Sequence, residues 1–218
     1  PRAERGFYCS LTDKVRIIRD KGNDWPSALS FFLLLIALKN GILLTRKNTM
    51  DYSKYIGVTP DFPKKGISFK DISPLLRNPE TFSACIDDLA KRAEPFNYDV
   101  IIGPESRAFL FGAALAYKTK KGFVRARKGG KLPGITNKIT YQLEYGTATI
   151  EIPANSFKNG DRVLLIDDLR ATGGTFKALK DLVISAGGTP VACVTVINLK
   201  DLHGEKVVDL PCKALLDL

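Results

Sequence analysis

Two adjacent acids, Asp167 and Asp168, stand at the end of an apolar run and just ahead of Thr172-Gly173-Gly174-Thr175. Residues 163–175 read VLLIDDLRATGGT: a buried strand, a carboxylate pair, a small-residue loop and the start of a helix. Open α/β folds bind their ligands at the carboxyl ends of parallel strands. Glycines in such a loop let the backbone approach a ligand closely. The free N–H groups of the helix N-terminus and the two threonine hydroxyls suit a phosphate. The carboxylates suit sugar hydroxyls or a hydrated cation. No GKS or GKT follows, so this is not a Walker A loop, and the GxGxxG pattern of dinucleotide binders is missing. A tight turn with incidental acids would not need every one of these positions in this order.

Charge supplies a second signal. No acid occurs between Glu105 and Glu144, an interval that holds Arg107, Lys118, Lys120, Lys121, Arg125, Arg127, Lys128, Lys131 and Lys138. Lys118, Lys120 and Lys121 read as a solvated face. The others, with Gly129-Gly130 and Pro133-Gly134, read as a flexible positive loop, a counter-charge for a substrate carrying several phosphates. The net charge is +10, and residues 1–49 contribute half of it. The main body is therefore only mildly basic, which favours a small polyanion over nucleic acid. A single histidine, His203, excludes multi-histidine zinc sites, facial triads and phosphohistidine relays. It lies in a polar loop and reads as a surface residue. Cys9, Cys85, Cys193 and Cys212 show no CxxC spacing and read as thiols of a reducing compartment, without a disulfide framework.

These groups need a scaffold to position them. Apolar residues at helical spacing predict a helix over Pro79–Ala93, and small residues predict another over 109–117. Residues 98–103, 163–166 and 191–197 read as buried strands, and 175–186 as a helix stopped by Gly187-Gly188. Unbroken apolar strands alternating with helices imply a parallel sheet covered on both faces. Residues 1–49 differ from the rest. Their apolar run, 28–38, is too short to span a membrane, which takes about 20 residues. They read as an N-terminal extension of unassigned role, a docked helix or a gene-model addition. The one methionine, Met50, marks the expected start of the main domain, 50–218.

The segment 163–175 resembles the phosphoribosyl pyrophosphate (PRPP) motif of the type I phosphoribosyltransferases. Residues 61–75 (DFPKKGISFKDISPL), 105–112 (ESRAFLFG), 127–134 (RKGGKLPG) and 143–146 (LEYG) are similar to the adenine-specific family, in that family's order. The resemblance implies an α/β fold with a parallel sheet flanked by helices, a small N-terminal hood and a flexible lid loop. It implies purine salvage in the cytoplasm: adenine and PRPP give AMP and diphosphate, with Mg²⁺ carried in by PRPP and possession of a homodimer. Ala171, Thr172, Gly173, Gly174 and Thr175 would hold the 5′-phosphate, and Asp167 and Asp168 the ribose hydroxyls. Arg107 would hold diphosphate, next to a non-proline cis peptide at Glu105–Ser106. Arg127, Lys128 and Lys131 would line the diphosphate and base side. Phe69 would stack on adenine while the backbone of Ser68 and Lys70 reads its edge. Glu144 and Tyr145 would belong to the lid, with Glu144 as the catalytic carboxylate.

Four positions depart from the family pattern: Lys70 for Arg, Ala108 for Gly, Gly129 for a base, and Arg170 for an apolar residue. Two alternatives stand beside this reading. One is a phosphoribosyltransferase for guanine, xanthine or orotate, against which Phe69 and the LEYG segment argue. The other is a PRPP-sensing regulator that binds nucleic acid through residues 1–49, which show no helix-turn-helix pattern. The expectation is therefore no nucleic-acid partner and no membrane span.

Overall fold

An unbroken apolar strand must be covered on both faces. The computed structural model describes residues 50–142 and 147–218. In chain order it forms β1 (Gly57–Thr59), β2 (Phe69–Asp71), α1 (Ser73–Arg77), α2 (Pro79–Ala93), β3 (Val100–Pro104), α3 (Ala108–Thr119) and β4 (Gly122–Lys128). Then follow β5 (Thr136–Gln142), β6 (Thr147–Pro153), β7 (Arg162–Arg170), α4 (Gly174–Ser185), β8 (Thr189–Asn198), α5 (Glu205–Val208) and β9 (Cys212–Asp217). Seven strands make one sheet in the order β5-β6-β4-β3-β7-β8-β9, and β1 with β2 makes a separate antiparallel pair.

The pleat of β7 divides the interior into two cores. Leu164 and Ile166 face a cluster with Leu75, Leu89, Phe111 and Leu115, on the side of α2 and α3. Val163 and Leu165 face the opposite cluster with Phe176, Leu179, Leu182 and Val183, from α4. The helices form where their ends are chemically marked. Asn78 Oδ1 accepts the Thr81 N–H at 2.9 Å, Pro79 opens α2, and Lys91 and Arg92 lie in its last turn. Buried Cys85, Ile86, Leu89 and Ala93 give that helix its core face. Gly112 on α3 has no room for a Cβ, which would run into the Phe123 ring of β4.

Helix α2 spans the expected residues, while the strands are longer and more numerous than the apolar runs suggest. β7 continues through Asp167 and Asp168 to Arg170, so the two acids lie within the strand rather than after it. The sheet is mixed, not purely parallel: β4, β3, β7, β8 and β9 run parallel, but β6 pairs antiparallel with both β4 and β5. Gly129-Gly130 and Pro133-Gly134 of the expected loop do lie in a turn, residues 129–135, but Arg125, Arg127, Lys128 and Lys138 on either side of it belong to β4 and β5. These strands carry charges on an exposed face, which hides them from a reading based on apolar runs. A further correction concerns the cysteines. The parallel register sets Cys193 of β8 beside Cys212 of β9, Cα atoms 4.7 Å apart, and the two are joined in a disulfide.

Candidate active site

The strand ends β3 and β7 and the start of α4 converge on one cleft. β7 leads through residues 171–173 into α4, with Gly173 at φ +83° as the residue before the helix. That left-handed conformation favours glycine. A Cβ on Gly173 would also run into the backbone of Gly204, lying 3.0 Å from its carbonyl carbon and closer still to its oxygen. The loop thus encloses a cavity of about 220 Å³ lined by Arg107, Asp167, Asp168, Thr172, Gly174 and Thr175, among others. A neighbouring cleft of about 800 Å³ shares Arg107, both aspartates and Thr175, and extends along Lys128, Gly129, Lys138 and Tyr141.

The carboxylate pair is electrostatically frustrated. Asp168 is 3% exposed. Its Oδ2 accepts no hydrogen bond from any described residue; Arg107 Nε stands 3.1 Å away, as an ion pair out of hydrogen-bond line. The Asp168 N–H donates to Asp167 Oδ1 at 2.8 Å. Burial, then the neighbouring charge of Asp168, pushes the half-buried Asp167 carboxyl well above the usual carboxylate range. A buried acceptor without a donor is a group waiting for one.

Arg107 follows the end of β3, after a cis peptide bond at Glu105–Ser106. Its guanidinium carbon lies 5.4 Å from the centroid of the Phe69 ring, so one side chain spans Phe69 and Asp168. Phe69 lies on β2, edge-to-face with Phe62 at 5.3 Å. Lys70 Nζ donates to Ser68 Oγ at 3.2 Å. Arg127, expected on the base side, donates to Glu105 from Nε at 3.1 Å and from Nη2 at 3.3 Å. Those bonds, then the Lys128 N–H, hold the Glu105 carboxyl below its ordinary range. Lys128 lines the larger cleft, and Lys131 sits on the β4–β5 turn. Glu144 and Tyr145 lie outside the described residues, as does the segment 1–49.

Two contributors escaped the sequence reading. Glu151 of β6 is buried, and its Oε1 accepts the N–H groups of Lys131 at 2.9 Å and Leu132 at 3.1 Å. Thr136 Oγ1 donates to its Oε2 at 3.2 Å. Burial raises this carboxyl, but the donors outweigh it and hold it below its usual range. Glu151 therefore ties down the turn that carries Lys131. The only signal was an acid inside an otherwise apolar-facing strand. The other is Gly204, beside His203. His203 is exposed, as expected, but the fold brings its neighbour against the 171–173 loop.

The sequence matches the family described as phosphoribosyl transferase domain over residues 71–217. An adenine phosphoribosyltransferase from Pseudothermotoga lettingae is 46% identical over 154 residues, covering 71% of this chain and 91% of that protein. The crystal structure of adenine phosphoribosyltransferase from Thermoanaerobacter pseudethanolicus superposes with a TM-score of 0.75 at 45% identity, covering 76% of this chain and 97% of that one. The Saccharomyces cerevisiae enzyme was solved with adenine and D-2,5-dideoxy-2,5-imino-altritol 1,6-bisphosphate. It superposes at 0.71 with 38% identity, covering 75% of this chain and 95% of that one.

Proposed function

The chain belongs to the phosphoribosyltransferase family and, within it, to the adenine phosphoribosyltransferases, and on that premise we propose how its residues divide the work. The reaction is transfer of the 5-phosphoribosyl group of PRPP to adenine, giving AMP and diphosphate. Adenine N9 bonds to C1 of the ribose as the bond to diphosphate breaks, through an oxocarbenium-like transition state.

Residues 171–175 hold the 5′-phosphate at the N-terminus of α4, where free N–H groups and the helix dipole favour an anion. Asp167 and Asp168 take the ribose hydroxyls. The observation that carries this reading is the buried Asp168 Oδ2, ion-paired with Arg107 but accepting no hydrogen bond from a described residue, to which a ribose hydroxyl can donate. Mg²⁺ enters with PRPP as part of the substrate, and the same carboxylate pair suits its bound waters. Among the described residues no cluster of three Asp, Glu, His or Cys is assembled, so such a cation would be shared with substrate oxygens.

Arg107 neutralises the departing diphosphate, helped by Lys128 and Lys131. Its present contacts with Phe69 and Asp168 are given up when base and ribose arrive. Phe69 then stacks on adenine, an interaction worth about 1–3 kcal/mol. The backbone of Ser68 and Lys70 reads the amino-purine edge. Arg127 acts at one remove, holding Glu105 beside the cis peptide. Glu144, in the LEYG segment, holds or receives the proton on the imidazole side of adenine, and Tyr145 belongs to the same lid. Lid closure keeps water from the developing cation.

The same reading has a homodimer in the cytoplasm and no nucleic-acid partner. Leu110, Ala113 and Tyr117 lie exposed on one face of α3, an apolar surface that a second copy would cover, and sedimentation tests it. No helix among the described residues is long and apolar enough to cross a membrane.

AMP formation from PRPP and Mg²⁺ with a panel of bases tests the assignment. A site built to pair with specific edge groups rejects analogues by up to about 10⁴-fold. Adenine should therefore far exceed guanine and hypoxanthine in kcat/KM. Comparable values for the three would remove the adenine assignment.

A further inference from the structure

We infer that Arg170 is a positioning residue for the 5′-phosphate loop, acting through Asn198 and Glu205. The inference rests on the reading that residues 171–175 hold that phosphate. Arg170 is the last residue of β7, immediately before the loop, and is 5% exposed. A guanidinium in such a place is costly unless it is paired. Its Nε donates to Asn198 Oδ1 at 3.0 Å, across the register pair Arg170–Asn198 between β7 and β8. Its Nη2 lies 3.8 Å from Glu205 Oε2, at the start of α5. Asn198 is fixed in turn, since its Nδ2 donates to Asp217 Oδ1 at 2.9 Å, and Lys200 Nζ lies 3.4 Å from Asp217 Oδ2.

The cluster joins the phosphate loop to the segment packed against it. Arg170 is among the residues lining the cavity that the loop borders. The segment after β8 supports that loop from outside the cavity lining: the Leu199 N–H donates to the Arg170 carbonyl at 2.9 Å, and Gly204 abuts Gly173. An apolar side chain at 170 could fill the same volume. It could not bind the end of β8 and the start of α5 at once, as a planar fork with several donors does. The guanidinium stays charged at any working pH, so the tie does not switch off. Its Nε and Nη2 point to Asn198 and Glu205, which makes the tie, rather than direct contact with the phosphate, its function.

The test uses the full chain with Arg170→Met, Arg170→Lys, Glu205→Gln and the Arg170→Met/Glu205→Gln double variant. Steady-state kinetics gives KM for PRPP and for adenine, calorimetry gives Kd for ribose 5-phosphate, and melting reports folding. In Arg170→Met, KM for PRPP and Kd for ribose 5-phosphate should rise about tenfold to a hundredfold, the scale of displacing a binding group by about 1 Å. KM for adenine should stay within about twofold. Glu205→Gln, at a half-exposed position, should show the same pattern more weakly, and the double variant should be no worse than Arg170→Met. Arg170→Lys should fail to restore binding, because it keeps the charge without the fork.

A folded Glu205→Gln and Arg170→Met pair with unchanged PRPP and ribose 5-phosphate constants would leave Arg170 as a core residue only. Full rescue by Lys would show that charge alone matters and would also overturn the inference. Wild-type protein that binds ribose 5-phosphate but makes no AMP would instead remove the functional reading, and the binding series would still judge Arg170. Wild-type protein that does not bind it at all would overturn both.

Discussion

Replacing Gly173 by alanine should separate the two demands that the phosphate loop makes on one residue. At φ +83° an L-residue loses roughly 1–2 kcal/mol relative to glycine. The added Cβ must also displace the backbone of Gly204, since it would lie 3.0 Å from that carbonyl carbon and nearer to the oxygen. Backbone cannot swing aside as a flexible side chain can, so the loop or the segment beyond Leu202 must move. Together these effects should exceed about 2 kcal/mol, which corresponds to a loss of about 30-fold in binding if the bound loop bears it. Gly187→Ala provides the control. Gly187 has φ +86° with nothing within 4 Å of the new Cβ, so only the conformational cost applies. Both variants should melt a few degrees lower, the size expected of 1–2 kcal/mol in a domain of this length. Only Gly173→Ala should raise KM for PRPP and Kd for ribose 5-phosphate, by tenfold or more. Gly173→Ala kinetics indistinguishable from those of Gly187→Ala would refute both the phosphate assignment of the loop and the importance of its contact with Gly204.

Three further outcomes are expected. Deleting residues 1–49 should leave AMP formation largely intact, because every matched motif lies beyond Met50; a truncated protein that folds by circular dichroism yet makes no AMP contradicts this. Glu144→Ala should lower kcat by about 10²–10⁴-fold with a smaller effect on PRPP affinity. The Asp167→Ala/Asp168→Ala double variant should lose binding as well, and steady-state kinetics on the two distinguishes these patterns. The Asp167 carboxyl has a raised folded-state pKa, so its contribution to stability is present below the unfolded value and is lost as pH rises through the folded one. Asp167→Asn should therefore melt higher than the ligand-free wild type at pH 7–8, with the gap closing towards pH 4, while binding PRPP more weakly. A variant that melts lower than wild type across that range would contradict the strained carboxylate pair.

Contiguity explains what could be read before the fold was known. The strand, acid pair, glycine loop and helix of residues 163–175 are consecutive, so their order in sequence is their order in space. Helix α2 was equally legible, since its cap at Asn78, its opening proline and its buried face all act within a few turns. Charged strands were not legible. β4 mixes Arg125, Arg127 and Lys128 with half-buried residues, and β5 is largely polar with Lys138 its one base, so neither presents an apolar run.

Sequence by itself determined the family and the run of strand, acid pair, glycine loop and helix on which the phosphate proposal rests, because each motif is a local set of side chains with a local geometry. Tertiary structure alone decided the partners of those residues. Arg127 lies 22 residues from Glu105, and the Lys131 N–H 20 residues from the Glu151 carboxylate. Arg170 reaches Asn198 across 28, and Cys193 meets Cys212 across 19. Each pairing depends on which strands lie side by side and in what register. That is set by how crossovers pack two cores onto one sheet, and no local spacing encodes it.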